Sequence, residues 1–296
     1  MDLVLTVPRL PQPGETVLGE RLGSYPGGKG ANQSVAAARL GGQVAMVGRV
    51  GNDSFGTALI KNLESNGVDA TDVSRDPAEP TGAALIYVDN TGQNMIAVAS
   101  GANATAGPRD AQRAVARLGA GDVLVMQLEI SMAAIDQAVA GARRAGAVSL
   151  LNAAPAQRLD PGLLSQLDAI VVNQPEASAL VGATSSPEDA SKALRAKGPR
   201  IAIVTLGPAG SVFCDETGVH RVEPFDARSV DATGAGDAFM GALAVGFARA
   251  LPIDKTIRFA NAAGAAATSS LGAQAALPRL DDLRRLFGLD LSSSEH

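Results

Sequence analysis

Short apolar runs alternate with stretches of helical periodicity from about residue 120 to the C-terminal region. Between the runs, Met132 to Arg144 and Pro187 to Lys197 carry apolar residues at helical spacing. This alternation predicts an α/β fold, with a central, mainly parallel sheet flanked by helices and joined by right-handed crossovers. The runs that we interpret as buried strands are Asp122 to Leu128, Val148 to Asn152, Ala169 to Asn173 and Ile201 to Leu206.

Two segments depart from this alternation. Leu3 to Glu20 is interrupted by prolines, and Thr81 to Val98 has the pattern of two strands joined by a turn at residues 89–92. We expect a small β-sheet that forms a lid from residues 1–26 and 81–100, beside a core of residues 27–80 and 101–290. Residues 291–296 are expected to form a flexible tail. A mobile cover over the active site and an oligomer contact are both open roles for the small sheet.

Composition restricts the class of protein. The 296 residues are 46% hydrophobic and 19% charged, and no apolar run reaches eighteen residues, which excludes a membrane-spanning or disordered chain. The net charge is -5 and no block of Lys or Arg occurs, so we expect neither nucleic acid nor a membrane surface as a partner. Cys214 is the only cysteine and no leader segment is visible, which favours the cytoplasm. Only His220 and His296 could serve as imidazole ligands, so a transition-metal site is not expected.

A glycine-rich turn precedes a helix that we predict over Ala238 to Ala250. Amides at a helix start bind anions, so Gly234, Ala235 and Gly236 are candidates for an anion hole around a transferring phosphoryl group. Asp237 would then lie beside the phosphate as a base that takes a proton from an attacking alcohol. The alternative is a plain helix-stabilising carboxylate, and the Gly-x-Gly turn alone leaves both interpretations open.

A second glycine-rich stretch, Tyr25 to Gln33, leads into a helix predicted over Ser34 to Leu40. Lys29 and Asn32 are three residues apart and could face one pocket, where an amide suits sugar hydroxyls. The alternative is an ordinary connection in which Asn32 caps the helix. The spacing of a nucleotide-binding P-loop is absent from this stretch.

Together with other motifs, these stretches resemble the PfkB carbohydrate kinase family along nearly the whole chain. The motifs are Gly27-Gly28-Lys29-Gly30-Ala31-Asn32-Gln33, Gly101-Ala102-Asn103, Leu151 to Ala156, Asn173-Gln174-Pro175-Glu176, Thr205 to Gly210 and Asp231 to Asp237. The resemblance implies a sugar kinase that uses ATP with Mg²⁺, and the first motif points to ribose phosphorylated at O5. Another sugar or nucleoside is the alternative substrate, and a sugar-binding protein without catalysis is the alternative function.

The resemblance also implies residue roles, with Asp237 as the base that deprotonates the 5-hydroxyl. The expected sugar contacts are Asp2, Gly28, Lys29, Asn32, Glu129 and Asp237. The expected nucleotide contacts are Asn173, Glu176, Thr205, Gly207, Gly210 and Asn261. A potassium ion is expected at Asp231, Thr233, Gly272 and Ala276, and a homodimer through the lid. From the residues alone, Glu129 could be solvated, Glu176 could belong to a helix start, and Asn261 could be a polar residue on an Ala-rich helix.

One departure from the family concerns the start of the chain. Relatives normally carry a buried first strand before the position of Asp2, so we expect one central strand to be absent here. Unpaired backbone groups on its neighbours would each cost roughly 1 to 3 kcal/mol if buried. A start codon upstream of Met1 and a weakened or inactive variant are the two explanations, and we expect the first.

Overall fold

The computed structural model describes residues 1–289, which fold into alternating strands and helices. In chain order the strands are β1 (Asp2–Val7), β2 (Arg21–Tyr25), β3 (Val44–Gly51), β4 (Val68–Asp76), β5 (Ala83–Asp89), β6 (Asn94–Ala99), β7 (Val123–Gln127), β8 (Val148–Asn152), β9 (Ala169–Asn173), β10 (Ile201–Thr205), β11 (Ser211–Asp215) and β12 (Gly218–Val222). The helices are α1 (Lys29–Arg39), α2 (Ser54–Ser65), α3 (Pro108–Ala116), α4 (Met132–Ala145), α5 (Pro161–Leu164), α6 (Gln174–Val181), α7 (Pro187–Arg195), α8 (Ala235–Ala248), α9 (Ile253–Ala267), α10 (Ala273–Ala276) and α11 (Leu280–Phe287). The predicted tail at 291–296 lies outside the described residues.

The main sheet has six strands in the order β12-β11-β10-β9-β8-β7. Strands β7 to β10 run parallel, and β11 and β12 add an antiparallel edge. Leu150, Ile170 and Ile203 in the middle strands are fully buried, as expected where helices cover both faces. The α/β fold and the strands predicted after residue 120 are therefore confirmed. In residues 1–289, no helix has the length and apolar character needed to cross a membrane.

Strands β3 and β4 form a separate parallel pair. Gly30 in α1 lies against both pieces of sheet, since a Cβ added there would be 3.1 Å from Met46 of β3 and 3.0 Å from Gln127 of β7. Within the described part of the chain, β3 pairs only with β4, and β7 pairs only with β8. Strands β3 and β7 thus belong to two separate pieces of sheet that meet at α1, and the expectation of an absent central strand stays a prediction.

The remaining strands form a small sheet in the order β2-β1-β5-β6. The predicted hairpin is present as β5 and β6. The predicted segment Leu3 to Glu20 contributes β1 to this sheet as far as Val7, and the chain rejoins the sheet as β2 at Arg21. The three prolines lie in the irregular connection, since proline cannot donate to a strand ladder. Leu22, Leu85 and Ile96 expose large apolar side chains on this small sheet.

Two helices begin earlier than the sequence predicted. α1 begins at Lys29 rather than Ser34, and α8 begins at Ala235 rather than Ala238. In both cases a glycine with positive φ, Gly28 at 92° and Gly234 at 80°, is the N-cap. Glycine adopts this conformation without a steric penalty, so a glycine-rich run can enter a helix directly. Asn32 therefore lies inside α1 and is not its cap.

The two helices α1 and α8 pack closely through small residues. A Cβ added at Gly241 in α8 would lie 2.5 Å from the Cβ of Ala36 and 2.7 Å from the backbone nitrogen of Ala37, both in α1. Such distances are shorter than any van der Waals contact. Glycine at 241 therefore sets how closely the two helices approach.

We predict that Gly241→Ala lowers the free energy of unfolding by about 1–3 kcal/mol, the usual cost of an overpacked core. The relevant measurement is urea denaturation. Gly119→Ala is the matched control, because its added methyl group would meet no atom closer than 3.6 Å. An unchanged or higher free energy of unfolding in Gly241→Ala would contradict the close packing.

Candidate active site

A cleft of about 240 Å³ opens at the carboxyl ends of the parallel strands. Open α/β sheets bind their ligands at this edge. Asn152, Asn173 and Thr205 end β8, β9 and β10, and the starts of α1 and α8 close the other side. The lining residues are Lys29, Asn152, Ala154, Val171, Val172, Asn173, Glu176, Thr205, Ala232, Gly234, Gly236, Asp237 and Phe239.

Asp237 lies in the first turn of α8 and is only 9% exposed. Its Oδ2 accepts a hydrogen bond from Asn32 Nδ2 at 2.8 Å, and its Oδ1 accepts one from Gln33 Nε2 at 2.9 Å. Burial raises the pKa of Asp237, and the two amide donors and the charge of Lys29 oppose that rise. An acidic group in the first turn also stabilises the helix dipole, so this helix-stabilising role holds alongside the hydrogen bonds from Asn32 and Gln33.

The backbone at the start of α8 differs in part from the predicted anion hole. Gly234 and Gly236 line the cleft, and a Cβ added at Gly236 would meet nothing within 4 Å. An anion can therefore approach this turn closely. The amide of Ala235 instead donates to the carbonyl oxygen of Ala232 at 3.2 Å, and Ala235 is not among the lining residues.

The residues predicted to contact sugar come together around Asp237. The backbone nitrogen of Lys29 donates to Glu129 Oε2 at 3.1 Å. The carboxylate of Asp2, in β1, packs directly over Gly27, where an added Cβ would lie 2.2 Å from both carboxylate oxygens. Burial raises the pKa of Asp2 and of Glu129. Gly28, the N-cap of α1, leaves open space, since a Cβ there would meet nothing within 4 Å.

Asn173 and Glu176 line the opposite part of the cleft, together with Thr205. Each of the first two donates its backbone N–H to the other's side chain at 2.8 Å, which forms a capping box at the start of α6. Burial raises the pKa of Glu176. Asn173 and Glu176 therefore form a helix start, which was the alternative interpretation of Glu176 from the sequence. Both residues also border the cleft.

The other predicted nucleotide residues lie outside the cleft lining. Gly207 and Gly210 flank the short turn after β10. Asn261 is buried in α9, where its Nδ2 donates to the carbonyl oxygens of Val222 and Glu223 at 3.2 Å each. These bonds fix the end of β12 and give Asn261 a structural role.

Asp231 joins the two loops predicted to hold a potassium ion. Its Oδ1 accepts from the nitrogen and hydroxyl of Thr233, at 2.9 and 2.7 Å, and its Oδ2 accepts from the nitrogen of Gly272 at 2.8 Å. Burial acts to raise the pKa of Asp231, but the donors from Thr233 and Gly272 bring it below its usual value. Both oxygens of this carboxylate thus accept hydrogen bonds within the protein and tie the loop before α8 to the loop at Gly272, while the potassium ion stays a prediction. Across residues 1–289, no group of three or more His, Cys, Asp or Glu could hold a metal ion.

Apart from Asn32, the amide side chains near Asp237 were not predicted from the sequence. Gln33 is 3% exposed, donates to Asn152 Oδ1 at 3.1 Å, and accepts from Gln127 Nε2 at 2.5 Å. Gln274 donates to Asn32 Oδ1 at 2.9 Å. The available clue was position, since Gln127 and Asn152 end apolar strands at the edge where ligands bind.

We predict that Glu129→Gln raises the free energy of unfolding at pH 7 by on the order of 1 kcal/mol or less. Because folding raises the pKa of Glu129, its ionised form is disfavoured in the folded state. The gain should therefore shrink as the pH falls toward the ordinary Glu value, where the carboxyl is protonated in both states. Urea denaturation between pH 8 and pH 4 measures this, with Glu64→Gln on an exposed site of α2 as the control. A destabilised Glu129→Gln variant at pH 7 would refute the prediction.

Comparison with known proteins agrees with this geometry. The model of the pfkB family carbohydrate kinases matches residues 1–280. Ribokinase of Mus musculus is 40% identical, covering 95% of this chain and 90% of that protein. Ribokinase of Haemophilus influenzae is 36% identical, covering 94% and 92% respectively. The structure of Arabidopsis thaliana ribokinase complexed with ribose and ATP has a TM-score of 0.89 at 29% identity, covering 98% of this chain and 96% of that one. This chain belongs to the pfkB family of carbohydrate kinases.

Proposed function

We propose that the protein transfers the γ-phosphoryl group of ATP to O5 of ribose, which yields ribose 5-phosphate and ADP. The observation that carries the proposal is the buried carboxylate of Asp237 beside the open helix start at Gly234 and Gly236. An anion-binding turn and a base in one cleft are the two elements that phosphoryl transfer to an alcohol requires. The ribokinase relatives support ribose as the acceptor.

The reaction follows from this arrangement. The ribose 5-hydroxyl gives its proton to the Asp237 carboxylate while its oxygen forms a bond to the γ-phosphorus. The bond from that phosphorus to the bridging oxygen breaks, and ADP keeps the electron pair. Amides at the start of α8 would neutralise charge on the transferring group, with Ala235 contributing once its bond to Ala232 opens.

The sugar would be held by Asp2, Gly28, Lys29, Asn32 and Glu129. Carboxylates accept hydrogen bonds from hydroxyls, and Asp2 can accept from two adjacent ones. The open space at Gly28 leaves room for the sugar ring. Because Asp2 belongs to β1, the small sheet would act as a lid that completes this pocket.

The nucleotide would lie along Asn173, Glu176 and Thr205, and extend toward Gly207, Gly210 and Asn261. Mg²⁺ bound with ATP would offset charge on the phosphate oxygens. Asn173 and Glu176, which border the cleft, would orient its hydration shell. Asp231, Thr233, Gly272 and Ala276 would hold K⁺, which supports the loop before α8. We place the enzyme in the cytoplasm, where ATP is available and a lone cysteine stays reduced.

The divided sheet favours a second candidate function, a protein that binds sugar without turning it over. Within residues 1–289, β3 and β7 each pair with a strand on one side only. The unpaired edges of these two strands would weaken the sheet that supports α1. Sugar binding without ADP release would distinguish this candidate from a kinase. Another sugar or nucleoside as substrate would appear in a panel of acceptors.

We predict that Asp237→Asn lowers kcat by about 10²- to 10⁴-fold, the contribution typical of a general base, while sparing ribose affinity. ADP release and calorimetric ribose binding measure the two effects. Asp254→Asn is the matched control, because Asp254 lies in the first turn of α9 and is exposed. Turnover within tenfold of the wild type in Asp237→Asn would eliminate Asp237 as the base.

We also propose a homodimer through the small sheet, whose exposed apolar residues favour burial against a second copy. The pairing register places Leu85 and Ile96 on opposite faces of this sheet. One of these two faces would be buried between the two copies. We predict that an Asp on that face, introduced by Leu85→Asp or by Ile96→Asp, converts a dimer to a monomer in sedimentation velocity. A wild-type protein that sediments as a monomer would disprove the dimer.

A further inference from the structure

A chain of buried amides leads away from Asp237, and the carboxylate determines its direction. A carboxylate can only accept hydrogen bonds, so Asn32 must present its nitrogen to Asp237. That leaves Asn32 Oδ1 to accept from Gln274 Nε2 at 2.9 Å. Gln274 Oε1 in turn accepts from Asn62 Nδ2 at 2.6 Å. The three bonds therefore point one way, from Asn62 in α2 through α10 and α1 to α8.

Burial makes this direction difficult to reverse. Asn32 and Gln274 are each 5% exposed, so water is largely excluded from both amides. Leaving one buried donor or acceptor unpaired would carry the full desolvation penalty of that group. If one amide turns over, its neighbour must turn over too or lose its bond. The orientations of Asn32 and Gln274 are thus coupled.

The backbone around Gln274 is fixed as well. Arg39, at the end of α1, donates from Nη1 to the carbonyl oxygens of Gln274 and Leu277, at 2.7 and 2.9 Å. Arg39 and Asn32 lie on the same helix, so α1 contacts α10 at both of these residues. The backbone that carries Gln274 is therefore held in place by Arg39 while its side chain contacts Asn32.

A second amide chain reaches the other oxygen of Asp237. Gln127 Nε2 donates to Gln33 Oε1, and Gln33 Nε2 donates to Asp237 Oδ1. Two oriented chains thus converge on one carboxylate and offset the cost of burying its charge. The chain through Asn32 is the one that extends to Gln274 in α10.

We propose that Gln274 is a positioning residue, which holds the Asn32 amide with its nitrogen toward Asp237 and so keeps this carboxylate ionised and aligned. The inference rests on the proposed role of Asp237 as the base. Gln274 itself is not among the residues that line the cleft. The other charged groups that act on Asp237 are Lys29 in α1, Asp2 in β1 and Glu129 after β7, and substitution at 274 leaves all three in place.

The test is Gln274→Glu, a side chain of the same length that offers an ionised acceptor where the donor was. In its ionised form the introduced carboxylate can only accept, so Asn32 would turn its nitrogen toward position 274 and present its oxygen to Asp237. Losing a donor raises the pKa of a carboxylate, so the acid limb of the kcat–pH profile should move to higher pH. We expect kcat at pH 7 to fall at least tenfold. Gln274→Met, which removes the donor without adding an acceptor, should shift the limb less.

A second variant acts at the outer end of the chain. Asn62→Asp replaces a donor to Gln274 by an acceptor at a half-buried site, where folding tolerates change better. The side-chain amide of Gln274 should turn over, and that of Asn32 should follow. The acid limb of the kcat–pH profile should then move to higher pH, by less than in Gln274→Glu. This variant decides the question if the Gln274 variants do not fold. Gln112→Glu and Gln112→Met, at an exposed site of α3, are the matched controls and should retain the wild-type profile.

A wild-type kcat and acid limb in both Gln274→Glu and Asn62→Asp would overturn the inference. An equal fractional loss at every pH, together with a lower unfolding temperature, would also overturn it and leave Gln274 a merely structural residue. Asp237→Asn separates this inference from the proposed function. If that variant is inactive and Gln274→Glu is wild-type-like, only the positioning role fails. If Asp237→Asn is active, the base itself is wrong.

Discussion

The close packing of α1 against α8 is the constraint on which the site depends. Only a glycine at position 241 lets α8 approach Ala36 and Ala37 this closely. The first turns of the two helices thereby meet, and Asp237 lies beside Asn32 and Gln33. A buried carboxylate requires hydrogen-bond donors, and the amides of α1 supply them only at this separation. Packing of small side chains therefore makes a buried reactive charge tolerable.

The parallel strands supply the rest of the site. Asn152, Asn173 and Thr205 come to one edge because β8, β9 and β10 run in the same direction. Asn152 then connects the sheet to the helices by accepting from Gln33. The cleft thus lies where the carboxyl ends of the strands meet the starts of α1 and α8. The division between β3 and β7 lies beneath α1, close to the residues that the sugar end requires.

Much of the fold and part of the site could be predicted from the sequence. Apolar runs marked β7 to β10 because strands covered on both faces contain few polar residues. The glycine-rich turn indicated Asp237 because anion-binding helix starts have a local pattern. The starts of α1 and α8 were missed, since residue type alone does not distinguish a glycine N-cap from a loop glycine. The partners of the buried amides could not be predicted, because Gln274 and Asn32 are 242 positions apart and no local pattern links them.

The contact between Asp2 and Gly27 has a consequence for how the pocket can be assembled. Asp2 belongs to the small sheet, whereas Gly27 leads into α1 of the main body, and no side chain could fit between them. Asp2 is therefore carried by a different piece of the fold from the residues that line the cleft. Any outward displacement of the small sheet would withdraw a carboxylate and admit water in the same movement. If the small sheet closes on the sugar as proposed, capture of the ligand and exclusion of solvent become a single event.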